Sequence, residues 1–251
     1  MDSRFCVATW NCNNAVTDDG SIFNLSEKGQ AQLELQHVDL LAAQEVPFID
    51  DSVSQDFSAL LESSGLGYTA HYVLSSAYNR SPPVESGLVL ASRYPLGEIV
   101  CHPFTNPELV AKVSDSIWES DDKGYIVART KIAGRTISFT CTHLLPFIEF
   151  GVAIDSPAAA VSWKQLERHA SDVVTDSDIA IVAGDFNRSA STLGSLTSAA
   201  FGLETRDSRD SVDAIFISQH VVVGSIWTVR NRSDHHLLIG DFGCSTEVAT
   251  A

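Results

Sequence analysis

At 251 residues, 44% hydrophobic and 19% charged, the chain is long enough to bury a sizeable core and too apolar to be a disordered segment. A net charge of −16 argues against tight, non-specific DNA binding, because such a field repels polyanions unless local basic surface and bound cations compensate. There is no basic leader with an apolar h-region, no apolar run near bilayer length, and no metal-type spacing among the five cysteines. A soluble cytoplasmic protein with no membrane partner is the expectation.

Phe5 to Trp10 reads as a first buried strand, ending at Asn11-Cys12-Asn13-Asn14. Ser26 is placed to cap a helix running to about His37. A strand from Val38 to Ala43 then ends in Gln44-Glu45, and Pro47 is expected to stop it. Asp56 to Ser63 looks helical, closed by Gly65 and Gly67. Strand candidates follow from Tyr68 to Ser75, Gly87 to Ser92 and Gly97 to His102, then an acidic loop over 103–124.

Tyr125 to Ile132 and Thr136 to Thr142 read as a hairpin around Ala133-Gly134-Arg135. An apolar connection, Leu144 to Ala153, follows His143. Ser156-Pro157 opens the best helix, with Ser at the N-cap, Pro at N1 and an apolar stripe of Trp163, Leu166, Ala170 and Val173. A strand from Ile179 to Ala183, a short Ser/Ala-rich helix near 190–200, and strands from Val212, Val221 and His236 complete the pattern. Cys6 and Cys141 fall within apolar runs and read as small buried residues. About a dozen strands with a few helices predict two sheets packed face to face, helices on their outer faces. No repeat or boundary divides residues 1–243, and 244–251 are expected to form a short flexible tail.

The stretch Ile181-Val182-Ala183-Gly184-Asp185-Phe186-Asn187 stands out. A short apolar run stops at glycine and delivers a carboxylate and a carboxamide two residues apart. In an extended backbone these share a face at a strand's carboxyl end, where open α/β folds place chemistry. Asp-x-Asn after Gly is also ordinary turn chemistry. Other strand-like runs end in polar residues as well: Trp10-Asn11, Gln44-Glu45, Thr142-His143, Val212-Asp213 and Ser233-Asp234-His235-His236.

Together with Ser86-Gly87-Leu88-Val89-Leu90-Ala91-Ser92-Arg93-Tyr94-Pro95-Leu96, and in this order, these motifs resemble the endonuclease/exonuclease/phosphatase superfamily over roughly residues 4–243. The resemblance implies a catalytic domain over 1–243, built as a four-layer α/β sandwich: two mixed β-sheets packed face to face with helices outside. It also implies metal-dependent phosphoester hydrolysis. Breaking such a bond needs charge neutralisation on phosphoryl oxygens, an activated water and a stabilised leaving oxygen.

On that pattern Glu45 is the natural ligand of Mg²⁺ (or Mn²⁺), with Asn11 helping to hold the metal site and Asp234 binding metal or orienting a group beside His235. Asp185 is placed to orient or deprotonate the attacking water, and Asn187 to hold the phosphate by its amide. His143, when protonated, would donate to a phosphate oxygen. His235 would face the phosphate with Asp213 behind it, the carboxylate fixing its tautomer and favouring its charged form. His236, on the opposite strand face, would be structural. Arg80, Arg188, Arg206, Arg209, Arg230 and Arg232 are phosphate candidates, led by Arg188 and Arg232, which flank the two anchors. Tyr78 and the Phe147-Ile148-Phe150 loop either shape a pocket or cover the core.

Only about 25 residues separate Asn187 from Val212, and no basic extension is present, which puts tight duplex binding in doubt. The expected activity is a nuclease-like phosphodiesterase acting, as a monomer, on short or single-stranded nucleic acid or nucleotides. The competing readings are an enzyme of a small phosphorylated metabolite or lipid headgroup and, further off, a non-catalytic binding module.

Overall fold

The computed structural model describes residues 4–17, 20–25, 29–76, 84–113, 116–190, 192–201 and 212–244. Ser26, Tyr78, Arg80, Arg206, Arg209 and the tail 245–251 lie outside them. The chain opens with β1 (Arg4–Asn11), α1 (Gln30–Leu35) and β2 (Leu40–Ile49). Pro47 does not stop β2. Its carbonyl accepts from the Ser54 N–H, so the missing donor would point to that same side, just beyond the end of the two-residue strand 52–53. The neighbouring β1 has already ended at Asn11, which pairs with Gln44.

Next come β3 (Ser52–Val53), α2 (Gln55–Ser63), β4 (Tyr68–Ser76), β5 (Glu85–Ser92) and β6 (Gly97–Pro103). The expected acidic loop instead holds a two-stranded ribbon, β7 (Val110–Val113) with β8 (Ser116–Glu119). Asn106 and Ser120 close its base: the Ser120 hydroxyl donates to Asn106 Oδ1 at 2.6 Å and accepts from the Leu109 N–H at 2.8 Å. Then follow β9 (Gly124–Ile132), β10 (Arg135–His143) and α3 (Pro157–Asp176). Ser156 caps α3 as its sequence predicts, its hydroxyl accepting from the Ala159 N–H at 3.3 Å.

The last elements are β11 (Ile179–Asp185), β12 (Thr192–Leu193), β13 (Leu196–Phe201), β14 (Asp213–Ile217), β15 (Val221–Val229) and β16 (Leu237–Cys244). The helix expected near 190–200 is a hairpin, because Gly194 turns the chain at φ 58°. β13 thereby covers the edge of β14 that would otherwise be bare. β16 runs through Cys244, which pairs with Val221, one residue into the expected tail.

Two mixed seven-stranded sheets result, in the orders β15-β16-β1-β2-β5-β4, with β3 on β2, and β12-β13-β14-β11-β10-β9-β6. Pleating sorts their side chains. Phe5, Val7, Ile137, Phe139, Cys141, Ile179, Ile181, Ile215 and Ile217 fill the space between the sheets. Their neighbours one residue along face outward: Ala8 and Trp10 pack near Phe57, Leu60 and Leu61 of α2, while Ala180, Val182 and Phe216 pack against Leu166, Ala170 and Val173 of α3. This is the four-layer α/β sandwich. Each large apolar side chain buried in it is worth about 1.5–3 kcal/mol over its exposed state. Among the described residues, no helix is long and apolar enough to cross a membrane.

Candidate active site

The same pleat that fills the core carries polar side chains to one end of it. β10 and β11 are parallel, so His143 and Asp185 finish side by side, in register with each other. β14 runs antiparallel to β11 and places Asp213, its first residue, opposite Asp185. Counting by twos from Val7, Phe139, Ile181 and Ile215 reaches Asn11, His143, Asp185 and Asp213. Each is the polar continuation of an inward-facing apolar row. All four are buried.

Glu45 arrives by a different route. Between Ala43 and Val46 the pairing with β5 shifts, so that Gln44 and Glu45 together oppose Leu88. This β-bulge puts Glu45 at φ 48° and re-aims a side chain that an unbroken strand would send outward with Ala43. Gly87 makes room for the closing strands: a Cβ there would strike the Tyr72 carbonyl and the Phe48 ring. Asn14, in a left-handed turn at φ 51°, donates from Nδ2 to Glu45 Oε2 at 3.1 Å. Gln44 fills the layer below, bonded to Thr9 and Cys141.

Asp185 Oδ2 is the point of convergence. Asn11 Nδ2 donates to it at 3.0 Å, and His143 Nε2 and His235 Nε2 lie 3.5 and 3.8 Å away. Its other oxygen accepts the Asn187 N–H at 2.8 Å. Burial alone would raise the Asp185 pKa, but the His235 charge and these hydrogen bonds hold it below the ordinary value. Asn187 does not share an extended face with Asp185. β11 ends at Asp185, and Asn187 turns back at φ 49° to donate from Nδ2 to the Leu144 carbonyl at 2.7 Å. The turn chemistry and the site are one feature.

His235 Nδ1 lies 2.7 Å from Asp213 Oδ2. Burial works against its charge, yet Asp213, then Asp185 and Asp234, overcome that cost and push its pKa up to about 11. The loop presenting it precedes β16, so strand alternation does not set its direction. Asn231 accepts from the Ser233 N–H at 2.7 Å and donates to the His235 carbonyl at 3.1 Å, while the Ser233 hydroxyl donates to the Asn11 carbonyl at 2.8 Å. His235 is buried and His236 half-buried. Asp234 is half-buried beside Ser233, its charge raising the pKa of both Glu45 and His235.

His143 departs from the expected charged donor. Burial, then the Lys123 ammonium, bring its pKa down to about 3, so the ring is neutral. Its Nε2 sits 3.8 Å from Glu45 Oε1 as well as 3.5 Å from Asp185. Burial also raises the Glu45 carboxyl above its ordinary value, against the pull of Lys123 and His235.

The two leading arginines each stack on an aromatic ring. Arg188 stacks on Trp163, 4.4 Å from the ring centroid, and its Nη1 donates to the Ile154 carbonyl at 3.4 Å. Arg232 is exposed, 5.7 Å over Phe23, and Arg230 is exposed. Of the apolar loop, Leu144, Leu145 and Phe147 are buried and cover the core, while Ile148 is exposed. Asn14, Lys123 and Asn231 escape a reading by strand ends, because each acts through a partner distant in sequence or from within a loop.

Asp185, Asp213 and His235 bring potential ligand atoms within 4.8 Å of one another, a possible acidic metal site. The short Asp213–His235 bond commits two of the three to each other, and a charged imidazole repels a cation. Carboxylate oxygens of Glu45, Asp185 and Asp234, with no thiol among them, suit a hard divalent cation.

A two-sheet sandwich with carboxylates and histidines at its strand ends is the architecture of DNase I-like phosphoesterases. The chain belongs to the Endonuclease/Exonuclease/phosphatase family, whose profile matches residues 8–235. Among solved structures it is similar to an endonuclease/exonuclease/phosphatase from Beutenbergia cavernae (18% identity, TM-score 0.66, covering 97% of this chain and 72% of that one). It is also similar to the human nocturnin catalytic domain with bound sulfate (20%, TM-score 0.62, covering 96% and 95%). A third similar structure is ANGEL2, a 2′,3′-cyclic phosphatase in complex with adenosine-2′,3′-vanadate (15%, TM-score 0.63, covering 97% and 96%). No curated protein sequence matches the chain significantly.

Proposed function

We propose that the chain is a Mg²⁺- or Mn²⁺-dependent phosphodiesterase acting on short or single-stranded nucleic acid or nucleotides. The observation that carries this reading is the meeting of Asn11, His143 and His235, from three separate elements, on one oxygen of Asp185. The residues fit a divalent cation: Glu45 would hold it, fixed on one side by Asn14, with Asp234 and Asp185 completing the acidic surround. Bound there, the ion supplies Lewis-acid charge to a phosphoryl oxygen.

The chain's own groups divide the remaining work. Asp185, held ionised, orients the attacking water and takes its proton, and Asn11 steers it. His235, kept charged by Asp213, faces the negative charge that develops on the phosphoryl group. His143 donates a neutral N–H to the same group. Asn187 commits one amide hydrogen to Leu144 and offers its second to the phosphate. Arg188 is assigned to pinning the loop after His143, and Arg232 to the rim beside Asp234, where it meets a substrate phosphate.

A second reading, hydrolysis of a small phosphorylated metabolite or lipid headgroup, draws on Ile148, exposed on the loop that follows His143. The test is a panel of dinucleotides, short single strands, long duplex, nucleoside monophosphates and lipid-headgroup phosphodiesters, each with Mg²⁺, Mn²⁺ or EDTA. Cleavage of the short phosphodiesters only with metal supports the first reading. Turnover confined to the metabolites or headgroups replaces it with the second.

A further inference from the structure

We infer that Lys123 is a positioning residue: its ammonium donates to His143 Nδ1 and so holds the ring as the Nε2–H tautomer, aimed at the gap between Glu45 and Asp185. This rests on the phosphoesterase reading for its catalytic meaning, but its geometry stands alone.

Lys123 Nζ lies 3.4 Å from His143 Nδ1. An ammonium has three donors and no acceptor, so Nδ1 must be the lone-pair nitrogen of the pair. With a lone pair on Nδ1, the ring carries its single proton on the other nitrogen and is neutral. That nitrogen, Nε2, faces Asp185 Oδ2 at 3.5 Å and Glu45 Oε1 at 3.8 Å, both of them acceptors. Lys123 is itself held in place. Its carbonyl accepts the Phe104 N–H at 2.8 Å, and the next residue, Gly124, is the register partner of His143 across β9 and β10.

The two site histidines are thus set in opposite ways. A carboxylate behind His235 takes its Nδ1–H and keeps it charged; a cation behind His143 occupies its Nδ1 and leaves it neutral. One supplies charge to the phosphoryl group, the other a directed N–H that is not itself spent as a proton.

The experiment is long-range ¹H–¹⁵N correlation on ring-labelled histidine near neutral pH, with the His143 signals assigned by their loss in His143→Gln. The expected wild-type pattern is an unprotonated Nδ1 and a protonated Nε2. Lys123→Met should give a mixture of tautomers and lower kcat by about 10–100-fold, the scale of losing a group that orients a site ligand. Lys123→Arg, which keeps donors at that place, should retain the wild-type pattern and most of the activity. A proton on Nδ1 in the wild type, or a Lys123→Met spectrum unchanged from wild type, overturns the inference. The wild-type spectrum needs no substrate, so failure to find phosphoesterase activity would count against the functional reading and leave the tautomer assignment to the spectrum.

Discussion

Asp213 backs His235: its Oδ2 lies 2.7 Å from the histidine Nδ1, and both residues are buried. The pair spans two sheets, one partner opening β14 and the other preceding β16. Asp213→Asn should leave the fold intact, since the amide is nearly isosteric, and lower kcat by roughly 100-fold or more, the scale of losing acid–base or electrostatic help. His235→Ala should do the same, and His236→Ala much less. Steady-state kinetics on the three variants checks this; a crippled His236→Ala beside a mild His235→Ala would mean that the loop presents the other ring.

Gly184 holds β11 against β10. A Cβ there would run into the Thr142 carbonyl oxygen, which belongs to its register partner. Gly184→Ala must therefore part the two strands that deliver His143 and Asp185. Destabilisation of about 1–3 kcal/mol is expected from overpacking, and at this chain size each kcal/mol lowers Tm by about 2–4 °C. Thermal unfolding measures it. A variant with wild-type Tm and activity would contradict the tight approach at that position.

His169, on α3, gives a pH dependence separate from that of the candidate site. Burial on the side of α3 that faces β10, then His102, bring its pKa from 6.5 down to about 4, with Thr140 Oγ1 2.9 Å from its Nε2. Below pH 6.5 the unfolded chain takes up a proton there that the folded chain refuses until about pH 4. The stabilising contribution is thus complete above 6.5 and lost as pH falls through that window. Unfolding free energies for wild type and His169→Gln between neutral and acid pH should show a shallower acid slope in the variant. Parallel slopes would place the acid sensitivity elsewhere.

Substrate length should show in the salt response. A protein that neutralises several duplex phosphates loses affinity with a log–log slope of about −0.9 per phosphate. Here Arg188 is occupied by Trp163 and Ile154, and the exposed Arg232 lies over Phe23. A net charge of −16 opposes further contacts. The apparent affinity, 1/KM, for a short substrate at fixed free Mg²⁺ should follow salt with a slope of roughly −2 or flatter on that scale. A steep slope with much tighter use of long duplex would reveal a basic groove on this acidic protein.

Much of this arrangement was legible in the sequence because the signals were local. Apolar runs ending in Asn11, Glu45, His143, Asp185 and Asp213 marked strands whose ends meet, and Ser156-Pro157 marked the start of α3. What was hidden depended on pairing. The bulge that aims Glu45 exists only against β5, and Asn14 matters only once Glu45 has been turned toward it. Lys123 reads as one cation in an acidic stretch until β9 lies beside β10. The hairpin in place of the helix expected near 190–200 and the β7–β8 ribbon in place of the expected loop share a cause: helix propensity and charge are local, whereas a glycine turn and a Ser–Asn clasp decide the backbone there.

In the proposed reaction, phosphoester hydrolysis depends on a cation held at Glu45 beside an ionised Asp185. The most direct measurement is initial-rate hydrolysis of a short phosphodiester by wild type, Glu45→Gln and Asp185→Asn, each titrated with Mg²⁺ after chelation. Wild-type activity should vanish in excess EDTA and return with Mg²⁺ or Mn²⁺. Glu45→Gln should require roughly 10–100-fold more metal, and Asp185→Asn should stay at least about 100-fold slower at saturating metal. Full activity in excess EDTA, or an Asp185→Asn enzyme that turns over like wild type, would contradict it.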